Sequence, residues 1–240
     1  MKKIILFLFM TVNIFTQEIF TVAINNAPPY RIIKGKNCSG IYIDIINEVA
    51  KEAGIQLKFV EVPYQRALEE MKSGKIDIML GPNKNKEREV YMYFLEKYPF
   101  PREVKVFYYM NKSINIENYE DLYGKKIDVL RGAKYFEKFD NDTKLIKNPV
   151  SDYVQGLNKV RTGRSDLVII PELQGDYLLK ENKLHYFNKS KLKIDGNLSF
   201  VTVSKKSKKF NFLVEKLNLG LEKVNKKNYY KKVIDSYKNY

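Results

Sequence analysis

The sequence predicts an α/β protein of two lobes, in which each lobe is a mainly parallel sheet flanked by helices and the chain crosses between the lobes twice. Three observations support this prediction. A strand–helix–strand pattern occurs twice, an apolar run follows each helix, and β-rich segments flank the second copy. Continuous apolar runs of this kind are typical of strands that are buried on both faces of a parallel sheet.

The two copies of the pattern lie 89 residues apart, at residues 57–80 and 145–169. Each copy predicts a strand, a helix, a glycine that ends the helix, and a second strand. The matching positions are Tyr64 with Tyr153, Leu68 with Leu157, Gly74 with Gly163, and Asp77 with Asp166. Because aromatic, apolar, glycine and aspartate positions all match in one register, we expect two lobes of similar structure.

The remaining segments complete this scheme. Residues 20–24 predict a strand, and residues 41–53 have the apolar spacing of a helix that ends at Gly54. A second apolar helical pattern covers residues 208–237. We therefore assign residues 18–105 and 204–240 to lobe 1 and residues 106–203 to lobe 2, with crossings near 104–109 and 199–204. Two crossings form a hinge, and hinge closure around a ligand is a common protein motion.

The N-terminus predicts a signal peptide over residues 1–17. Lys2 and Lys3 precede an apolar run that ends near Phe15, which is short for a membrane span. A buried N-terminal strand and an uncleaved anchor are the alternatives. No cysteine follows this run, so lipid attachment there is excluded, and Cys38 as the only cysteine cannot form an internal disulfide. We expect a periplasmic or otherwise extracytoplasmic protein.

The charge of the chain is strongly positive, with a formal net charge of +15. Such a charge can indicate binding to nucleic acid. The lysines are scattered, however, and an exported protein rarely meets nucleic acid. We interpret them as a solvated surface, which leaves an anionic membrane surface or an anionic ligand as alternatives.

Several motifs, in this order and spacing, resemble the solute-binding protein family 3, the type II periplasmic-binding-protein-like receptors of polar amino acid ABC transporters. The motifs span nearly the whole predicted mature chain. They are residues 28–30 (Pro-Pro-Tyr), 40–45, 62–64 (Val-Pro-Tyr), 74–77, 83–88, 122–132 and 163–166.

The resemblance implies a ligand clamped between two lobes and delivered to an ABC permease, with the receptor a monomer. It implies that Tyr30 and Tyr64 form aromatic walls, that Arg88 binds a ligand carboxylate, and that the loop of Gly132, Ala133 and Lys134 offers backbone N–H groups. The arginine also makes chemical sense, because a guanidinium pairs bidentately with a carboxylate.

Arginine is rare among the basic residues of this chain, which makes the positions where it occurs informative. Four of the seven arginines, Arg31, Arg66, Arg88 and Arg131, lie in or beside loops that are expected to rim the cleft. We therefore hypothesise that two or more of them contact an acidic group of the ligand.

The sequence departs from the family pattern at two places. Pro171 stands where these receptors usually carry an aspartate for the ligand ammonium, with Glu172 one residue further on. Pro82, Asn83 and Asn85 replace the expected hydroxyl side chains before Arg88, and Ala133 replaces another. Either Glu172 reaches the ligand, or the ligand lacks an α-ammonium group.

The sequence does not indicate an enzyme. It has no metal-ligand spacing, phosphate-binding glycine loop or catalytic triad, and no cofactor is expected. Asp44, Asp77 and Asp166 are interpreted as structural, and His185 as a surface residue. One enzymatic alternative is a cyclohexadienyl dehydratase-like protein, in which Glu172 would act as an acid. Another alternative is a sensory binding protein that takes no part in transport.

Overall fold

The chain forms two mixed β-sheets, each covered by helices, and a small hairpin. The structure is a computed structural model that describes residues 18–237, so the predicted signal peptide lies outside the described residues. The strands are β1 Ile19–Ile24, β2 Ile32–Lys34, β3 Asn37–Ser39, β4 Gln56–Glu61, β5 Ile78–Asn83, β6 Met92–Phe94, β7 Val104–Tyr109, β8 Lys126–Leu130, β9 Ile146–Val150, β10 Leu167–Pro171, β11 Asn188–Lys189, β12 Ile194–Asp195 and β13 Ser199–Ser204. The helices are α1 Ile41–Ala53, α2 Tyr64–Ser73, α3 Lys86–Glu89, α4 Glu137–Asn141, α5 Tyr153–Arg161, α6 Glu172–Glu181, α7 Phe210–Lys226 and α8 Tyr229–Tyr237.

The first sheet, in lobe 1, has the strand order β4-β1-β5-β13-β6. Strand β1 pairs in parallel with β4 and β5, whereas β13 is antiparallel to β5 and β6. Helices α1 and α7 pack on one face, where Val22 and Ile24 of β1 point, and α2 packs on the other face with Ala23. This burial on both faces explains why the strand is apolar at successive positions.

The second sheet, in lobe 2, has the order β11-β7-β10-β8-β9, and β12 also pairs with β7. Strands β8, β9 and β10 are parallel, and β7 is antiparallel to its three neighbours. The predicted parallel pairing is therefore found among β1, β4 and β5 in the first sheet and among β8, β9 and β10 in the second, and the remaining strands are antiparallel. The antiparallel strands β7 and β13 are those that begin just after the chain has crossed from the other sheet.

The predicted repeat corresponds to β4–α2–β5 in lobe 1 and β9–α5–β10 in lobe 2. Asp77 and Asp166 have equivalent structural roles in the two copies. Asp77 Oδ2 accepts hydrogen bonds from Thr21 N and Oγ1 at 2.9 and 2.7 Å, and Asp166 Oδ2 accepts one from Lys126 N at 2.7 Å. Each aspartate thus ties the start of one strand to the neighbouring strand, as the structural interpretation expects. Asp44 is also structural, because its Oδ2 accepts a hydrogen bond from Tyr237 Oη.

The predicted end of lobe 2 at residue 203 is wrong. Strand β13 belongs to the first sheet, because Val201 pairs with Leu80 and Thr202 with Phe94. The chain therefore crosses between the sheets within residues 95–103 and again within residues 196–198. An apolar strand carries no sequence signal that says which of two sheets it joins, which is why the boundary was misplaced.

The two crossings lie side by side and are hydrogen-bonded to each other. Phe100 N donates to Ser199 O at 2.9 Å, and Gly196 N donates to Glu103 O at 2.8 Å. This paired segment is the hinge of the molecule. Within residues 18–237 no helix has the length and apolar character needed to cross a membrane.

Candidate functional site

A cleft of about 540 Å³ lies between the two lobes. In lobe 1 its walls are the segments that follow β1, β4 and the apolar part of β5, at residues 25–31, 61–64 and 81–83. In lobe 2 the lining residues follow β8, β9 and β10 and are Leu130, residues 133–135, residues 151–154, Pro171, Gln174 and Leu178. Ligands of open α/β sheets bind at the carboxyl ends of the parallel strands, and the cleft is formed where those ends of both lobes face each other.

The lobes are in direct contact across one edge of this cleft. Arg88 Nη2 donates to Gly132 O at 2.9 Å, and Asn83 Nδ2 donates to Lys134 O at 2.8 Å. Since Gly132 and Lys134 belong to lobe 2, these hydrogen bonds join the two lobes in a closed arrangement.

The guanidinium of Arg88 is fixed by its local structure. Asn85 caps α3 by accepting a hydrogen bond from Arg88 N at 2.9 Å, and Arg88 Nη1 donates to Asn83 O at 2.8 Å. Only 3% of the residue is exposed, and it is not among the residues that line the cleft. The arginine predicted to hold a carboxylate is therefore bound by two backbone carbonyls.

Four of the predicted site residues line the cleft: Tyr30, Tyr64, Asn83 and Ala133. The ring of Tyr30 packs 4.9 Å from that of Tyr42, and burial raises the pKa of the Tyr30 phenol well above its usual value. Its hydroxyl is therefore neutral at physiological pH. Tyr64 begins α2, and the guanidinium carbon of Arg88 lies 6.0 Å from the centre of its ring.

The other predicted residues lie outside the cleft lining. Arg66 is exposed on α2 and pairs with Glu70 one turn along the helix at 2.7 Å, and Arg131 is exposed at the end of β8. Gly132 contributes its carbonyl to the contact between the lobes rather than an N–H group to the cleft. Helical periodicity and loop position cannot show on which side of a loop a side chain emerges, which explains these misplacements.

Glu172 is also directed elsewhere. It forms ion pairs with Lys189 at 2.8 Å and Lys193 at 2.9 Å on the surface of lobe 2. Burial acts to raise the pKa of Glu172, but the two lysines together outweigh it and lower the pKa below its usual value. An ionised carboxylate outside the cleft is not placed to donate a proton or to receive a ligand ammonium there.

The structure gives no geometrical support to the hypothesis that several arginines contact an acidic ligand group. Of the four arginines, only Arg31 lines the cleft. Its Nη1 donates to Leu80 O at 2.9 Å and its Nε to Asn25 O at 3.3 Å. Arg31 therefore ties two loops of lobe 1 together by their carbonyls.

A buried ion pair lies at the hinge, at residues that the sequence did not indicate as part of the site. Glu103 and Lys105 both line the cleft, and Lys105 Nζ lies 2.6 Å from Glu103 Oε2. Tyr42 Oη donates to Glu103 Oε1 at 2.8 Å. Burial acts to raise the pKa of Glu103, but Lys105 and the hydrogen bonds lower it below its usual value, so the carboxylate is ionised. The sequence feature that could have indicated this pair is a lysine within the otherwise apolar strand 104–109.

The cleft wall of lobe 2 contains further residues that the prediction omitted. Tyr153 lines the cleft, and its Oη lies 3.5 Å from that of Tyr135, which also lines it. Tyr153 is the repeat partner of Tyr64, so the repeat itself could have identified it. Glu61 and Asp152 bring one carboxylate from each lobe to the cleft. Among residues 18–237 no cluster of His, Cys, Asp and Glu could hold a metal ion.

Two lobes that close on a polar, tyrosine-lined cleft define a hinged solute-binding protein. The chain belongs to the bacterial extracellular solute-binding proteins, family 3, whose family model matches residues 20–240. The protein is thus a solute-binding receptor, as the sequence resemblance predicted.

Two curated relatives are each 26% identical to the chain. One is the probable histidine-binding protein of Campylobacter jejuni, with 90% of this chain and 84% of that protein covered. The other is the arginine-binding extracellular protein ArtP of Bacillus subtilis, with 83% and 81% covered.

Solved structures show the same fold. An ancestral arginine-binding protein bound to arginine is 22% identical with a TM-score of 0.78, covering 92% of this chain and 98% of that one. The arginine-, lysine- and histidine-binding protein ArtJ of Geobacillus stearothermophilus is 17% identical with a TM-score of 0.76, covering 92% and 95%. A histidine kinase sensor domain has a TM-score of 0.79 at 17% identity, covering 92% of this chain and 96% of that one. The fold is therefore also used in sensing.

Proposed function

We propose that this protein captures an amino acid with a cationic side chain outside the cytoplasm and presents it to an ABC permease. The observation that carries the proposal is the pair of carboxylates, Glu61 and Asp152, which face the cleft from opposite lobes. Within residues 18–237 neither carboxylate forms an ion pair with a lysine or arginine of the protein. A ligand cation between the closed lobes would be attracted to both.

The aromatic lining supports the same ligand class. Tyr30, Tyr64, Tyr135 and Tyr153 line the cleft, and tyrosine rings attract a guanidinium, ammonium or imidazolium group through cation–π interaction. The names of the curated histidine- and arginine-binding relatives point in this direction as well. This proposal replaces the earlier expectation of an acidic ligand group held by several arginines.

A signal peptide gives the protein its route to the site of action. Residues 1–17 act as a signal peptide, and the exported receptor works as a monomer that docks on its permease when the lobes are closed. The extracellular assignment of the family supports this localisation. Loss of uptake of the labelled ligand in cells that lack this protein would separate a transport receptor from one that serves sensing alone.

A ligand screen by calorimetry and thermal shift tests the ligand class. We expect arginine, lysine or histidine to bind the purified protein, and a ligand at about 100 times its Kd to stabilise it by about 2.7 kcal/mol. Citrulline is the matched control, because it has the shape of arginine without the charge. Binding of citrulline or glutamate as tight as that of every cationic amino acid would contradict the proposal.

A further inference from the structure

We infer that Gln174 binds the α-ammonium group of the ligand through the oxygen of its side-chain amide. The inference rests on the proposed function, because it requires an amino acid ligand. It adds a specificity-determining residue on α6, at a position that the sequence did not indicate as part of the site.

The side chain of Gln174 is buried at the cleft and has no partner in the protein. Only 4% of the residue is exposed, and it lines the cleft. Within residues 18–237 its amide forms no hydrogen bond with another side chain or with the backbone. Neither Oε1 nor Nε2 is completely enclosed by protein atoms, so both are open to the cleft. A buried amide without a partner is destabilising, and a ligand that bonds to it removes this cost.

The orientation of α6 directs Gln174 toward the cleft. The helix begins directly after β10, with Pro171 as its N-cap. Pro171, Gln174 and Leu178 line the cleft, and their spacing of three and four residues places them along one face of the helix. Glu172 forms its ion pairs outside the cleft. Of the three residues on the cleft face, Gln174 alone has a side chain that can accept a hydrogen bond.

The charges of the cleft indicate which ligand group Gln174 receives. A basic amino acid carries a side-chain cation, an α-ammonium and a carboxylate. The proposed function pairs the side-chain cation with Glu61 and Asp152. Glu103 also lines the cleft, but Lys105 balances its charge at 2.6 Å. Because the ligand's own carboxylate partly balances the α-ammonium, a neutral amide oxygen is sufficient to bind it, in a hydrogen bond that the charged donor strengthens.

The test compares arginine with δ-guanidinovalerate, which is arginine without its α-amino group. We expect the native protein to bind arginine more tightly than this analogue. In Gln174→Met, which keeps the length of the side chain and removes the amide, arginine binding should weaken roughly 10- to 100-fold, the effect of losing a hydrogen bond to a charged group. Binding of the analogue should change little. Gln56→Met is the matched control and should keep the native ratio of affinities, because Gln56 is exposed at the end of β4 remote from Glu61.

Two further measurements separate ligand binding from folding. Because the Gln174 amide bonds to no protein group, Gln174→Met should leave the unfolding free energy of the unliganded protein unchanged or raise it, as measured by urea denaturation. Gln174→Glu places a carboxylate at the same point and should increase the preference for arginine over δ-guanidinovalerate.

Three results would overturn the inference. They are a folded Gln174→Met variant that keeps the native ratio of the two affinities, a native protein that binds δ-guanidinovalerate as tightly as arginine, and a large loss of unliganded stability in Gln174→Met, which would show that the amide supports the fold. If the native protein bound no cationic amino acid, the proposed function itself would fail.

Discussion

Arg88 and Gly132 lie in different lobes, and the 2.9 Å hydrogen bond from Arg88 Nη2 to Gly132 O is a direct link between them. The donor is charged and buried, so the bond is stronger than one between exposed neutral groups. The second link, from Asn83 to the Lys134 carbonyl, lies beside it. Together they hold the lobes closed through Asn83, which lines the cleft, and Arg88, which does not.

Replacement of this arginine should shift the protein toward an open form. A hydrogen bond to a charged group contributes about 1.5–3 kcal/mol, so we expect Arg88→Ala to weaken ligand binding roughly 10- to 100-fold. Small-angle X-ray scattering with ligand should then show a larger radius of gyration. The matched control is Arg66→Ala, because Arg66 is exposed and pairs with Glu70 on its own helix. Equal affinities for the two variants would contradict this role of Arg88.

The ion pair of Glu103 and Lys105 should make stability depend on pH. Because the pKa of Glu103 is lowered in the folded protein, its contribution is present above about pH 4.5 and is lost as the pH falls through the folded-state value. Glu103→Gln leaves Lys105 buried without a counter-charge, which costs about 3–5 kcal/mol. The difference in unfolding free energy between this variant and the native protein, measured by urea denaturation, should decrease as the pH falls.

The control for this prediction is Glu69→Gln, which removes an exposed carboxylate of α2. It should cost less than about 1 kcal/mol, as is usual for a surface ion pair. A Glu103→Gln variant as stable as the native protein at about pH 7 would show that the pair contributes no net stability.

The charge of Asp152 should matter more than its shape. Its Oδ1 accepts from Gln155 N at 2.8 Å and caps α5, and asparagine caps a helix equally well. We therefore expect Asp152→Asn to fold normally and to weaken arginine binding roughly 10-fold, with little effect on citrulline. Calorimetry with both ligands measures this. Glu117→Gln, an exposed carboxylate of the same lobe, is the control, and an equal effect on the two ligands would argue against a cationic ligand.

The two repeat-equivalent glycines should respond differently to alanine. Gly74 and Gly163 both have left-handed backbones, with φ of 77° and 69°. A Cβ at Gly163 would meet nothing within 4 Å, whereas one at Gly74 would lie 2.6 Å from Lys206 O. Gly163→Ala should therefore cost about 1–2 kcal/mol of unfolding free energy, and Gly74→Ala about 1–3 kcal/mol more. Chemical denaturation of both variants tests this, and equal losses would refute the role of the clash.

The backbone pattern could be predicted well, and the site only in part. The repeat placed Tyr64, Gly74 and Asp77 in equivalent structural settings, because helix ends and strand starts depend on local residues. Tyr30, Tyr64, Asn83 and Ala133 line the cleft, and their contacts with a ligand stay predictions. Arg66 and Glu172 instead pair with charged residues outside the cleft lining, since a charged side chain near a loop can find its partner on the surface. Glu61 and Asp152 were missed because nothing in the sequence separates them from solvated acids.

The sequence by itself determined two similar α/β lobes, a hinge made of two crossings, and the family of the receptor, because hydrophobic periodicity and turn residues act over short distances along the chain. Only the tertiary structure decided which sheet the strand Ser199–Ser204 joins, which carbonyls accept from the guanidinium of Arg88, and that Lys105 lines the cleft and is paired with Pro171. These features depend on residues far apart in sequence that meet only in the folded chain, and such pairings leave no local pattern in one sequence.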